Sequence, residues 1–263
     1  MHSRTCSDPD TAPPTGHKID HAARLLGQRV AGWERSAKWA LMSGRVDSTR
    51  RVLGFRTEGL DGAAWAAALA ALDAPRVAVD VLGAHLHEAN FGYLATEAGG
   101  GKAYLEFPVR LNRIDAWGRM RPAPPGLWAR AAKWRFGEPL LRHTEYWLVP
   151  GATLAGLDRQ LRTSDSGHPM IGMLASLLER RPRASADPDM VTLYEVRHGD
   201  GARAWDLNVY GLHCSVDQRL IDAFGWPEVP ADARGASLGH VAAGYDRDGE
   251  PYRSVYWRAD QPR

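Results

Sequence analysis

Apolar and polar positions change period several times along the chain, and each change marks an expected element. From His17 to Ser43, Ala22, Leu25, Leu26, Val30, Trp33 and Ala37 fall on one helical face. RVLGFRTE, residues 51–58, reads as a strand. Gly62 to Leu72 reads as a helix, entered through Asp61 as N-cap and stopped before Pro75. RVAVDVLG, residues 76–83, alternates: Val77, Val79 and Val81 lie on one face, Arg76 and Asp80 on the other, the pattern of a half-buried strand.

Four hairpins are expected after that. Tyr93–Thr96 and Lys102–Phe107 flank EAGGG, and Ala131–Phe136 and Arg142–Leu148 flank FGEP. Val191–Arg197 and Arg203–Tyr210 flank HGDG, and Gly239–Tyr245 and Tyr252–Trp257 flank DRDGE. The last two turns contain Asp-Gly, a strong hairpin signal. Helices are expected over Thr153–Arg162, Met170–Arg180 and Val216–Phe224, the last with Ser215 as N-cap. PAPP, within 111–127, marks a loop.

The chain thus repeats a helix or helix pair followed by an antiparallel hairpin, with a period of about 50 residues. Pairing 51–58 with 76–83 as the first hairpin brings the count to about ten strands. The expected fold class is α+β: a ten-stranded antiparallel barrel of repeated helix–hairpin units with an outer helical layer. Closure removes the sheet edges. Two stacked α+β domains are the competing arrangement. Residues 1–16, polar with two Pro in APPT, read as a disordered tail, which leaves 17–263 as one domain.

Period-2 alternation also assigns strand faces. If helices cover the outside, Ala103, Leu105 and Phe107 face them, and Lys102, Tyr104 and Glu106 face inward. Likewise Ala132, Trp134 and Phe136 go outward, and Lys133 and Arg135 inward. Trp205, Leu207 and Val209 pack outward, leaving Asp206, Asn208 and Tyr210 inside. Val255 and Trp257 go outward, with Tyr252, Ser254 and Tyr256 inside; Arg76 and Asp80 join the inner set. A lining of Lys, Arg and Tyr is costly in a dry core. It fits a wet lumen holding an anion, or the solvent face of an ordinary sheet.

Composition narrows the functions. Among 263 residues the net charge is +2 and Lys and Arg are dispersed, which argues against nucleic acid. The most apolar stretch, Ala63–Leu72, is too short to span a membrane, and MHSRTCSDPDTAPP has no apolar leader core, so a cytoplasmic protein is expected. Two cysteines, Cys6 and Cys214, make neither a disulfide framework nor a cysteine zinc site. Ten Trp and eight Tyr fit a core of large residues or an aromatic-lined cavity. His85 and His87 share a face if extended, without a marked third ligand. EAGGGK lies between strands and departs from the phosphate-loop pattern, and no G-x-S-x-G occurs.

Three segments together resemble the ABBA-type aromatic prenyltransferases, a family whose fold is the ten-stranded prenyltransferase barrel. GKAYLEF resembles its Lys-x-Tyr strand. KWRFGEPLLRHTEYWLVPG resembles a middle hairpin and LGHVAAGYDRDGEPYRSVYW the C-terminal one. The Arg-x-Lys-x-Tyr pattern of some members is absent, RHTEY standing in its place. The resemblance implies transfer of a dimethylallyl or geranyl group from an allylic diphosphate to an aromatic small-molecule or peptide acceptor. Lys102, Lys133, Arg135 and Tyr104 would hold the diphosphate, and Tyr146, Tyr210, Tyr252 and Tyr256 would shield the carbocation. Asp80, Glu106 and Asp206 are the inward carboxylates that could take the final proton. No DDxxD-like cluster is present, so no cofactor is expected to be required, and Mg is not expected to be essential. No nucleic-acid or membrane partner is expected. The alternatives are a noncatalytic binding protein for an aromatic or isoprenoid ligand, and an unrelated α+β small-molecule enzyme.

Overall fold

A computed structural model of the chain describes residues 16–139, 141–180, 192–198, 203–246 and 248–259. The tail expected over 1–16 lies outside these except for Gly16, which opens the first helix; the HGDG turn lies outside them as well.

Helix α1 (Gly16–Leu26) leads into β1 (Val30–Ala40) and β2 (Val46–Arg56). Helices α2 (Gly62–Ala70) and α3 (Arg76–Gly83) precede the hairpin β3 (Phe91–Glu97) and β4 (Gly100–Glu106). A two-stranded excursion, β5 (Asn112–Ile114) and β6 (Met120–Pro122), comes before β7 (Gly126–Arg135) and β8 (Leu141–Val149). Helices α4 (Leu154–Ser164) and α5 (Met170–Arg180) precede β9 (Thr192–His198) and β10 (Arg203–Asn208). Helix α6 (Gln218–Phe224) and the hairpin β11 (Leu238–Tyr245) and β12 (Pro251–Ala259) complete the chain.

Ten strands close into an antiparallel barrel in the order β1-β12-β11-β10-β9-β8-β7-β4-β3-β2. Every barrel neighbour is also a sequence neighbour, except where β1 meets β12 and where β4 meets β7 across the excursion. Eight residue pairs, from Trp33↔Ala259 to Ala40↔Tyr252, make the closing seam. The strand ends joined within the five hairpins therefore lie at one end of the barrel, and the strand ends that lead from one hairpin to the next at the other.

Two expected elements are corrected. The segment 17–43 is not one helix. Gly27, with φ of +57°, ends the helical run through a short 3-10 turn, and the chain continues as β1. There Trp33, Ala37 and Trp39 pack outward while Glu34, Ser36 and Lys38 point into the barrel. Residues 76–83 form helix α3, not a strand. Pro75 precedes its first residue, Ala78 and Leu82 bury one face four apart, and Val77 and Val81 are exposed. Asp80 is thus on the outer surface, paired with Arg76 at 2.9 Å, and is removed from the lumen along with Arg76. The N-cap of α6 is Asp217, two residues beyond the expected Ser215; the Asp61 cap is found as read.

Helices cover only the outside, so the apolar core divides into shells. α1, α2 and α3 bury Ile19, Trp65, Leu69 and Leu82 against Leu53, Phe55, Leu105 and Trp134 of β2, β4 and β7. α4, α5 and α6 bury Leu161, Met173, Leu177 and Phe224 against Trp39, Leu207, Val255 and Trp257 of β1, β10 and β12. Seven of the ten Trp fill or pack against these outer shells, while Trp128 stacks on Tyr194 at 4.1 Å on the inner side, where most Tyr residues also turn. Of the eight Tyr, Tyr245 is the one on the helical side, where it donates to Asp165. Trp134 is 1% exposed, and its Nε1 donates to the Leu72 carbonyl at 3.0 Å. A Cβ on Gly101 would stand 2.6 Å from the Trp134 ring, so part of the EAGGG signal serves this packing. Trp134→Ala is expected to cost about 3–5 kcal/mol, because it leaves a cavity and an unpaired carbonyl. Urea unfolding followed by circular dichroism checks this.

Candidate active site

The barrel interior holds a cavity of about 590 Å³ that opens at the hairpin end, where Arg45, Asp47, Gly99, Glu138 and Asp246 form part of its rim. Small inward residues make the room: Ala242 and Ser254 line the cavity, and Ala131 and Ala204 lie on inward faces of their strands. Large residues at these positions would fill it.

The cavity wall is cationic. Lys102 of β4 and Lys133 of β7 are direct cross-strand partners, and Lys38 and Arg50 come from β1 and β2. Glu97 accepts from Lys133 and lies 3.7 Å from the Arg50 guanidinium. Burial alone would raise the Glu97 carboxyl, but Lys133, Arg50 and Lys102 outweigh it and hold it down at about 2. Burial, then Lys133 and Arg50, push the Lys102 amine well below the usual lysine range. The same causes bring Lys38 down to about 8. One Arg50 nitrogen, Nη1, is buried without a hydrogen-bond partner. Like charges crowded together and partly withdrawn from water favour an anion that joins them.

Tyrosines form a collar beneath these cations. Lys102 Nζ donates to Tyr146 Oη at 2.8 Å and stands 4.2 Å from the Tyr104 ring centroid. Arg50 lies 3.5 Å from Tyr256 Oη, and Lys38 sits 4.0 Å from the Tyr252 ring centroid. Tyr104 and Tyr146 are neighbours at 5.6 Å, and Tyr93 meets Tyr104 edge-on at 6.1 Å. Burial pushes the Tyr104, Tyr146 and Tyr252 phenols up, so they act as neutral donors with electron-rich faces.

Carboxylates lie beyond the collar. Asp206 of β10 lines the cavity, and its Oδ1 is 3.2 Å from His240 Nδ1. Glu106 of β4 is 9% exposed, and its Oε1 has no hydrogen-bond partner. Burial raises the Glu106 carboxyl to about 7 against the opposing hydrogen bond from Tyr93 and the charge of His240. A carboxyl held near neutrality in an aromatic enclosure is suited to exchange a proton at physiological pH.

The structure brings together Lys102, Lys133, Tyr104, Tyr146, Tyr252, Tyr256 and Asp206 in or beside one cavity, with Glu106 deeper. Arg135 reaches only the rim; its side chain is 62% exposed and 3.8 Å from Glu138. Tyr210 stands in the 3-10 turn after β10, away from the cations, and donates to Glu34. Asp80 lies outside. Sequence reasoning missed Lys38, Arg50, Glu34 and His240. Lys38 and Glu34 were hidden by reading β1 as helix. Arg50 fell one residue before the expected strand start, although its spacing from Val52 and Gly54 marks the inner face. Among the described residues, no group of three or more His, Cys, Asp or Glu side chains is placed to hold a metal ion. No described helix is long and apolar enough to cross a membrane.

No protein-family model matches the chain, and no curated protein sequence matches it. Solved structures do. The chain resembles the crystal structure of 5-dimethylallyltryptophan synthase from Streptomyces coelicolor with a TM-score of 0.55 at 14% identity, over 95% of this chain and 93% of that one. The same enzyme in complex with DMASPP and Trp matches with a TM-score of 0.52, also at 14% identity, over 95% and 96% of the two chains. Fold is what survives at such low identity, and the closed ten-stranded barrel with its outer helices is that of the aromatic prenyltransferases.

Proposed function

We propose that the chain transfers a dimethylallyl or geranyl group from its diphosphate to an aromatic acceptor, inside the barrel and without a metal ion. The observation that carries this reading is the gathering of Lys38, Arg50, Lys102 and Lys133 around one cavity, with Glu97 between Arg50 and Lys133, above a tyrosine collar. The complex of the similar barrel with DMASPP and Trp supports the same pairing of an allylic diphosphate with an aromatic acceptor here.

The diphosphate sits among the four cations, with the allylic carbons directed past Tyr104, Tyr146, Tyr252 and Tyr256. The bond between the allylic C1 and the bridging oxygen breaks, and both electrons leave with the diphosphate. Fixed cations and phenol donors in a water-poor cavity stabilise that charge. Each tyrosine face contributes about 0.5–2 kcal/mol to the carbocation, and the collar keeps out the water that would quench it. The arene attacks C1, and the proton on the attacked ring position passes to Glu106. Asp206 is held by His240 and is less free to accept it.

The pH profile follows from Glu106 and the two lysines whose amines are pushed down, Lys38 and Lys102. Glu106 must be anionic to accept a proton, so kcat/KM rises as pH increases through about 7. Lys38 loses its charge above about 8, so capture of the diphosphate weakens there and kcat/KM falls. A bell is expected, and Lys38→Met shrinks the alkaline limb without abolishing it, because the Lys102 amine is pushed down as well. A profile flat from pH 6 to about 9 contradicts both assignments.

The direct test is pyrophosphate release from dimethylallyl or geranyl diphosphate across a panel of aromatic acceptors, with EDTA throughout. Acceptor-dependent release with a prenylated product confirms the reading. Stoichiometric ligand binding without release would identify a binding protein instead, and release only on restoring magnesium would overturn metal independence.

A further inference from the structure

The end of the barrel beyond the tyrosine collar carries polar groups that the donor chemistry does not use. Glu34 of β1, Asp206 of β10 and His240 of β11 meet there. His240 Nδ1 is 3.2 Å from Asp206 Oδ1, and its Nε2 is 4.0 Å from Glu34 Oε1. Tyr210 donates to Glu34 and meets the His240 ring edge-on at 5.7 Å. Gly239 makes this approach feasible: a Cβ there would stand 2.7 Å from the Tyr210 hydroxyl and 3.1 Å from Glu34 Oε1. Glu106, on the facing wall, is a separate observation. It is 9% exposed, with Oε1 unpartnered, and it interacts electrostatically with both His240 and Glu34.

The charge balance at this end is negative. Three carboxylates, Glu34, Asp206 and Glu106, face one imidazole, and that imidazole is already engaged by two of them. The next cation on these walls, Arg258, is exposed at the outer rim, its guanidinium 5.2 Å from the Tyr210 ring centroid. Burial would lower the His240 ring, but Asp206 and Glu34 override it and hold it at about 9, so the imidazolium is spoken for. An anionic group brought here would meet these carboxylates, and the lumen cation that feels Asp206, Lys102, is the one the diphosphate would occupy. A protonated amine would meet acceptors on two walls, and charge-assisted hydrogen bonds are about twice as strong as neutral ones.

We propose that this end of the barrel is the acceptor subsite, and that it selects an aromatic acceptor carrying a protonated amine and no carboxylate. The inference rests on the prenyl-transfer reading above, and it adds the class of acceptor. Glu34 and Asp206 hold the ammonium, the collar stacks the ring, and Glu106 is left for the proton of the attacked position.

Calorimetry at pH 7.5, with the barrel saturated by geranyl S-thiolodiphosphate, tests this without turnover. The probes are two series: tryptamine, 3-methylindole, tryptophan and indole-3-propionate; and tyramine, 4-methylphenol and 4-hydroxyphenylpropionate. In at least one series the amine is expected to bind about tenfold or more tighter than the neutral compound, and the carboxylate weakest. Tryptophan falls below tryptamine if that series binds. In Glu34→Gln the ratio of amine to neutral affinity collapses to within about threefold. The wild-type series stands without the variant, and the variant's own affinity for the thiolodiphosphate reports whether its barrel is folded. Carboxylates binding as well as amines, a ratio unmoved by Glu34→Gln, or no probe binding to the donor-loaded protein would each overturn the inference and leave the donor assignment intact. Failure of the thiolodiphosphate itself to bind wild-type protein would overturn the functional reading, and this inference with it.

Discussion

Lys102→Met is expected to weaken binding of geranyl S-thiolodiphosphate by about 100-fold, with the barrel still folded. Lys102 is the most central of the cations: its strand neighbour is Lys133, its ammonium is hydrogen-bonded to Tyr146, and Tyr104 lies under it. Methionine keeps most of the stem and its packing between the rings but removes the charge. A charged hydrogen bond to phosphate contributes about 1.5–3 kcal/mol, and a buried site magnifies the loss. The free amine is already pushed well below its ordinary range by burial and by Lys133 and Arg50. An incoming diphosphate reverses that, so binding takes up a proton. Calorimetry in buffers of different ionisation enthalpy reads this uptake in the wild type, and Lys102→Met reduces it. Affinity within about threefold of wild type in the variant would show that the diphosphate is held elsewhere.

Glu106→Gln carries the second large effect. The substitution is nearly isosteric, and glutamine can still accept from Tyr93, so the tyrosine collar keeps its place. It cannot accept a proton. We expect kcat to fall by about 10²–10³-fold while the affinity for geranyl S-thiolodiphosphate changes by less than about twofold, since general bases typically contribute 10²–10⁴. The acid limb of the pH profile, centred near 7, should vanish in the same variant. If Asp206→Asn produces this pattern and Glu106→Gln does not, the proton goes to Asp206, and His240 acts by orienting that carboxylate.

Much of the fold was legible because the hairpins carry local signals. Asp-Gly turns, Gly-rich turns and strict alternation in KAYLEF, AKWRF, WDLNV and YRSVYW set strand positions and faces, and those faces hold in the barrel. The strand count came to ten through two errors that cancelled: β1 was read as helix and α3 as strand. Both have a physical origin. In β1 the inner face, Glu34, Ser36 and Lys38, is as polar as an exposed helical face, so polarity did not distinguish lumen from solvent. In α3 only eight residues carry the pattern, and Val77, Val79 and Val81 mimic alternation over so short a run.

The candidate site was legible in part for the same reason. Lys102, Tyr104 and Glu106 share one strand, so period 2 alone puts them on one side. Nothing local joins Arg50 to Tyr256, Glu97 to Lys133, or Glu34 to His240, because each pair lies on different strands brought together by barrel closure. The sequence by itself therefore determined the repeating helix–hairpin unit, the apolar outer face and the cationic, tyrosine-rich inner face. Tertiary structure decided which inner residues meet: that β1 joins β12 to close the lumen, that Lys38, Arg50, Lys102 and Lys133 gather around Glu97 toward the hairpin mouth, and that Glu34, Asp206 and Glu106 gather beyond the collar. The division follows from range. Alternation and turn chemistry act over a few residues and are written in order along the chain. Charge clustering depends on strand register and closure, which couple residues as far apart as Glu34 and His240 and leave no trace in either neighbourhood.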